Sequence, residues 1–123
     1  MTRPAPLLLA LACSPLEPSG TPLTPTPTVL QGVQMALECG RRHHLAVRHP
    51  PEHLRYFLTS GFPDINGSMR ADDVRGRDIW VDQRVAGEVL VWAHGALHAL
   101  HDLPGGPTTA HPSIFAECDL WPI

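Results

Sequence analysis

The strongest constraint on the fold is an apolar helical pattern toward the C-terminal end of the 123-residue chain. Its apolar positions recur every three or four residues and share one stripe of a helix: Val85, Val89, Trp92, Ala93, Ala96, Leu100 and Leu103. Asp82 is placed to cap this helix, and the sequence after Leu103, PGGP, ends it. The pattern predicts one long helix.

Two histidines on this helix have the spacing of metal ligands. His94 and His98 are four residues apart, so their rings are about 40° apart in projection and one turn apart in height. His101 continues the stripe but is about 10 Å from His94 along the axis, too far for both to bind one zinc ion. We expect His101 at the surface or in the shell around the ligands.

A third ligand is predicted from the segment that follows the helix. The Gly-Pro loop reverses the chain, and Pro112 fixes the backbone just after His111. His111 can therefore approach the helical pair from outside. The sequence predicts that His94, His98 and His111 hold zinc, with water in the open fourth position.

The stretch from Val89 to Leu120 resembles small exported bacterial proteins of the zincin metallopeptidase family, in which an HExxH helix precedes a loop, a His-Pro pair and a cysteine. The matching residues are His94, His98, His111-Pro112 and Cys118. The likeness covers roughly the last third of the chain and extends loosely to Cys39 and to Ile79 to Val81. It implies a zinc cofactor, peptide or protein substrates and peptide hydrolysis.

Gly95 departs from the family pattern, which has a glutamate there as general base for the zinc-bound water. A positioned base is worth ~10² to 10⁴ in rate, so we expect a weakly active or inactive relative, with no catalytic residue assigned. Helix stability does not explain Gly95, because glycine costs about 1 kcal/mol relative to alanine in a helix. Glu117 and Glu88 are weak candidates for a replacement carboxylate.

A second histidine pair, His49 and His53 in HPPEH, matches a reversed zinc-peptidase motif. Pro50 keeps His49 out of helical geometry, so the two rings need not share a face. With eight histidines in the chain, a chance pair is not rare. We discount this pair, and chance is also the alternative interpretation of His94 and His98.

The N-terminal segment predicts export. Residues 1–12 carry one early charge, Arg3, and a short apolar run typical of a signal peptide. The run ends at Cys13, which resembles the lipidation site of bacterial lipoproteins, although Ala10 stands where a leucine is usual. Residues 13–28 are rich in Pro, Thr and Ser and are predicted to form a tether to a zincin-like domain at 29–123. A disordered N-terminus or a mis-assigned start is the alternative.

If Cys13 carries lipid, Cys39 and Cys118 remain as an even pair in an oxidising compartment. We predict a disulfide between them, which would close a loop of about eighty residues and contribute ~2 to 4 kcal/mol. Two buried free thiols are the alternative.

The rest of the chain predicts a small α+β domain with a few short strands packed on the metal-binding helix. A helix is expected from Thr28 to Glu38, stopped by Gly40, and a short helix from Pro112 toward Cys118. Strands are expected at His43 to Arg48 and Asp78 to Asp82, while Arg55 to Leu58 is ambiguous. Residues 59–77 indicate a loop or hairpin edge with turns at Pro63-Asp64 and Asn66-Gly67.

Charge excludes several partner classes. The net charge is −3 with histidines neutral, and the nine Lys and Arg are scattered. No basic stripe is present to bind nucleic acid or anionic lipid, so contact with a membrane is expected only through the lipid anchor. Three hypotheses follow: a zinc-binding metallopeptidase relative of the cell envelope, a non-catalytic binding or structural envelope lipoprotein, and a small lipoprotein without metal.

Overall fold

The computed structural model describes residues 19–62, 71–105 and 111–120 of the chain. It confirms the α+β class. The elements follow in the order β1 (Thr21–Leu23), α1 (Pro27–Arg42), β2 (Arg55–Thr59), β3 (Asp72–Arg75), β4 (Asp78–Asp82), α2 (Val89–His101) and α3 (Ser113–Glu117). Short 3-10 turns lie at Pro51–His53 and Gln83–Val85.

The four strands form one mixed sheet in the order β1-β2-β4-β3. Strands β2 and β4 are parallel, with Tyr56 opposite Ile79. Strands β3 and β4 form an antiparallel hairpin in which Val74 faces Ile79. This hairpin agrees with the edge predicted within 59–77 and makes β3 an edge strand. The turns predicted at Pro63-Asp64 and Asn66-Gly67 lie outside the described residues.

Helix α2 is the centre of the domain. Every residue from Val91 to His101 is buried, between α1 on one side and strands β3 and β4 on another. The apolar surface therefore extends around the whole helix, beyond the single predicted stripe, as expected of a helix that is covered on several sides. The indole N–H of Trp92 donates a hydrogen bond to the Ala86 carbonyl oxygen at 2.8 Å.

The boundaries of α2 differ from the prediction. The Asp82 side chain accepts from the backbone N–H of Arg84 at 2.9 Å and so caps the 3-10 turn that precedes α2. The helix itself begins only at Val89, which leaves Val85 outside it. It ends at His101, after which Asp102 adopts a left-handed conformation with φ 54°. The predicted terminal helix is present as α3.

Helix α1 confirms the predicted helix and is longer. The Thr26 hydroxyl accepts from the N–H of Val29 at 3.3 Å and caps the first turn. The predicted stop at Gly40 is wrong, because the helix continues to Arg42. The chain leaves the helical path at His43 and His44, where His44 has φ 58°.

The strand predicted at His43 to Arg48 is wrong. This segment is a turn followed by an irregular stretch. Its backbone pairs with the end of α2, since the N–H groups of Arg48 and His49 donate to the Leu100 carbonyl at 2.6 and 3.1 Å. These bonds satisfy a carbonyl in the last turn of the helix, which has no partner within the helix. The ambiguous residues 55–58 lie in β2.

Regular secondary structure begins within the segment 13–28 that is predicted from the sequence to be a tether. Thr21–Leu23, inside the segment 13–28, pairs with β2 as an edge strand, and Pro27 already belongs to α1. The signal-peptide and lipidation predictions, including Cys13, fall outside the described residues. Within the described ranges, no helix is long and apolar enough to cross a membrane.

The predicted disulfide between Cys39 and Cys118 is present, with Cα atoms 6.0 Å apart and a separation of 79 residues in sequence. It joins the last turn of α1 to the end of α3. The C-terminal segment is thereby fixed against the core, next to the residues described below.

Candidate metal centre

Three imidazoles converge at the C-terminal half of α2. His94 and His98 project from consecutive turns of that helix, and His111 enters from the segment just before α3. Each ring offers a nitrogen, and these nitrogens lie within 4.8 Å of one another. Ring centroids are 4.9 to 5.0 Å apart. The three histidines predicted from sequence are therefore brought together and could hold a metal ion.

Backbone carbonyls orient the two helical rings. His94 Nδ1 lies 2.6 Å from the Leu120 carbonyl oxygen, and His98 Nδ1 lies 2.9 Å from that of Leu103. Because a carbonyl oxygen only accepts, each Nδ1 must carry the proton and donate it. Each Nε2 atom then carries a lone pair and no proton. This arrangement, with one ring nitrogen donating to a carbonyl, is typical of metal-binding histidines.

Burial keeps both rings neutral. His94 and His98 are 4% and 8% exposed. Burial lowers the pKa of His94, and burial lowers the pKa of His98 to about 4. Because the pKa of each ring lies below the ordinary histidine value of 6.5, both imidazoles are unprotonated at neutral pH, the form that binds metal.

The distance between the Nε2 atoms of His94 and His98 is the main evidence that this site could hold a cation. They are 3.2 Å apart, and with both Nδ1 protons committed, neither Nε2 has a proton to donate to the other. Two lone pairs facing each other at this distance are stabilised by a shared cation. A tetrahedral zinc ion with bonds of 2.0–2.1 Å separates two ligand nitrogens by about 3.4 Å. The pair thus fits zinc with little adjustment.

The rings are enclosed by Phe115 and Gly105. Phe115 is fully buried, and its ring centre lies 4.4 to 5.0 Å from all three imidazole centres. A Cβ built on Gly105 would lie 2.5 Å from His98 Cε1 and 3.1 Å from His111 Nε2. A side chain at 105 would therefore displace the rings. Neither residue was singled out from sequence, although the glycines after α2 had marked the loop.

Gly95 has a packing role. It lies beside His94 but faces the sheet, where a Cβ would stand 2.9 Å from Ile79 Cγ2 and 3.2 Å from Asp72 Oδ2. Real Cβ atoms essentially never approach a neighbour so closely as the first distance. The glycine lets α2 lie directly on β4, which accounts for a residue that helix propensity disfavours.

His101 lies apart from the three converging histidines, and its predicted place at the surface is wrong. It is 6% exposed, and its Nδ1 lies 2.8 Å from the Ala46 carbonyl oxygen. The ring turns toward α1, where a Cβ on Gly40 would lie 2.1 Å from His101 Nε2. Gly40 therefore makes room for this ring, and this explains why a glycine stands inside α1.

The remaining sequence candidates do not join the site. No group of three metal-ligating side chains in the described part of the chain includes His49 or His53. Glu117 lies 3.4 Å from His43 Nδ1, and Glu88 is exposed at the start of α2. Neither glutamate belongs to the histidine group, so neither supplies the carboxylate that Gly95 lacks.

The chain matches no known family. No protein-family model, curated protein or solved structure is significantly similar to it. The resemblance to the zincins therefore stays a prediction from the sequence motif.

Proposed function

We propose that this protein is an exported, zincin-like domain of the bacterial cell envelope that holds one zinc ion at His94, His98 and His111. The observation that carries the proposal is the pair of neutral imidazoles whose Nε2 atoms face each other at 3.2 Å. Imidazole also suits copper, nickel and iron, but three histidines plus an open place are a recurrent zinc site.

Three protein ligands leave a fourth position for water, as in hydrolytic zinc enzymes. A zinc ion held by His94, His98 and His111 would supply a Lewis acid that can polarise a carbonyl and make water more acidic. Residues of the chain orient the ligand rings and form their surroundings. The carbonyls of Leu120 and Leu103 hold the rings, and Phe115 provides an apolar surround. Peptides are the substrate class that the zincin resemblance implies.

The second candidate is a non-catalytic binding or structural module of the envelope. Gly95 favours it, because the residue after the first histidine carries no base and is packed against Ile79. In that case zinc would act as a cross-link between α2 and the segment before α3.

The envelope location is supported by the disulfide, which is typical of oxidising compartments. The proposal includes a signal peptide at 1–12 and a lipid anchor at Cys13, followed by a short tether to the folded domain.

Metal analysis of three purified proteins tests the zinc site. We expect about one zinc per chain in the wild type and in His53→Gln, and at least tenfold weaker zinc binding in His98→Gln. His53 is the matched control, because it is an exposed histidine of the discounted motif. Zinc at about a hundred times its Kd should add about 2.7 kcal/mol to the unfolding free energy of the first two proteins. Equal zinc binding by all three proteins, or none by the wild type, would contradict the proposal.

A further inference from the structure

A carboxylate from the sheet occupies the space beside Gly95. Asp72 begins β3, the edge strand of the sheet, and its Oδ2 atom is fully buried. That atom lies 3.2 Å from the Cβ position of residue 95. A carboxylate from another element therefore fills space that a side chain at the residue after His94 would need.

The distance matches that of a glutamate side chain. The carboxylate oxygens of a glutamate are three bonds from its own Cβ, which places them roughly 3 to 4 Å away at standard bond lengths. Asp72 Oδ2 lies within this range of the Cβ position at 95. Asp72 thus holds an oxygen about as far from the helix as a glutamate at position 95 would.

The direction of β3 also suits this role. Side chains alternate along a strand, and both Asp72 and Val74 approach Gly95, so they share the side that faces α2. Asp73 projects to the other side, where its carboxylate pairs with Arg75 at 3.1 Å. The Asp72 carboxylate therefore lies between β3 and α2, beside the residue that follows His94.

We propose that Asp72 is the proton acceptor of this site and replaces, from strand β3, the glutamate that zincins carry on the helix. This inference rests on the proposed zinc function. In hydrolysis of a peptide bond, Asp72 would take one proton from water while the water oxygen forms the bond to the carbonyl carbon. The carbonyl π electrons move to its oxygen. When the C–N bond breaks, Asp72 returns the proton to the leaving nitrogen.

Gly95 and Asp72 then act together, because the glycine leaves the space that the Asp72 carboxylate fills. A glutamate at position 95 would need the space that the Asp72 carboxylate and Ile79 already fill. The absence of a side chain at 95 admits the carboxylate from β3. The domain would then be an active hydrolase whose general base lies on β3, and not a peptidase that has lost its activity.

Binding of acetohydroxamic acid to the cobalt-substituted protein tests the inference without a known substrate. This acid loses one proton as its two oxygens bind the metal, and a nearby carboxylate that accepts this proton and hydrogen-bonds the bound ligand would strengthen its binding. We expect Asp72→Asn to weaken acetohydroxamate binding at least tenfold, measured by visible absorption, with cobalt affinity within threefold of wild type. Asp73→Asn removes the same charge from the opposite side of β3 and should stay within threefold in both measurements.

Asp72→Glu provides a second variant that keeps the carboxylate, and it should recover at least half of the lost hydroxamate affinity on a logarithmic scale. Wild-type hydroxamate affinity in Asp72→Asn would overturn the inference while leaving the zinc proposal intact. Loss of cobalt itself from Asp72→Asn would also overturn it, because Asp72 would then be a ligand or a structural group. Absence of metal from the wild type would overturn the zinc proposal.

Discussion

At the scale of single residues, glycines decide where the functional side chains fit. Gly95 allows contact between α2 and β4, and Gly105 lies against the rings of His98 and His111. Gly40 makes room for the ring of His101. Each of these positions lacks the space for a methyl group. The absence of a side chain at residue 95 indicates a degenerate enzyme when the sequence is considered alone. The packing of α2 on the sheet also requires a glycine at this position.

Gly95→Ala is expected to destabilise the protein by about 1–3 kcal/mol, although alanine is the better helix former. The new Cβ would be 2.9 Å from Ile79 Cγ2, so the helix or the strand must shift. Urea unfolding measures the change. Gly87→Ala is the control, because nothing lies within 4 Å of a Cβ there. A Gly95→Ala variant as stable as wild type would refute this packing role.

At the scale of elements, the disulfide holds the C-terminal segment on the site. Helix α3 carries Phe115, which packs on all three imidazoles, and it leads into Leu120, whose carbonyl orients His94. Cys118 ties this segment to Cys39 at the end of α1. The bridge thereby restricts the chain that positions both the third histidine and the carbonyl partner of the first.

The double variant Cys39→Ala/Cys118→Ala should lose about 2–4 kcal/mol of unfolding free energy, as removal of a long-range disulfide typically costs. We also expect weaker zinc binding, because Leu120 and His111 would be less firmly held. Urea unfolding and zinc titration measure the two effects. Reduction of the wild type should reproduce both, and unchanged stability in the double variant would count against the bridge as a support of the site.

Elements set by local pattern were predictable from sequence, and those set by distant contacts were not. Helix α2 and the histidine spacing follow from periodicity within about twenty residues. The segment from His43 to Arg48 is rich in β-forming residues, yet its N–H groups bond to Leu100, more than fifty residues away. The approach of Asp72 to residue 95 likewise depends on how β3 packs on α2, for which the sequence holds no local signal.

At the scale of the whole molecule, the buried histidines make the metal-free protein sensitive to acid. An unfolded chain binds a proton on histidine near pH 6.5, whereas the folded protein holds the pKa of His98 at about 4. Between pH 4 and pH 6.5 the unfolded state binds more protons than the folded state. The free energy of unfolding is therefore highest above about pH 6.5 and falls as the pH is lowered toward 4. Zinc bound to the same neutral nitrogens, as proposed, would oppose this loss.

We therefore predict that metal-free wild type loses, through His98 alone, on the order of 3 kcal/mol of unfolding free energy between about pH 7 and pH 4. His98→Gln should lose correspondingly less, because glutamine does not titrate. Urea unfolding with a chelator present, at several pH values, measures both. His53→Gln, an exposed control, should follow the wild type. The same acid dependence in His98→Gln as in the wild type would show that this ring is not the cause.

X-ray absorption at the zinc edge of the zinc-loaded protein measures directly whether His94, His98 and His111 coordinate one zinc ion, as proposed. We expect three imidazole nitrogens and one further light atom at about 2.0–2.1 Å, with one imidazole lost in His111→Gln. A shell containing sulfur at about 2.3 Å, or the same three imidazoles after His111→Gln, would contradict it.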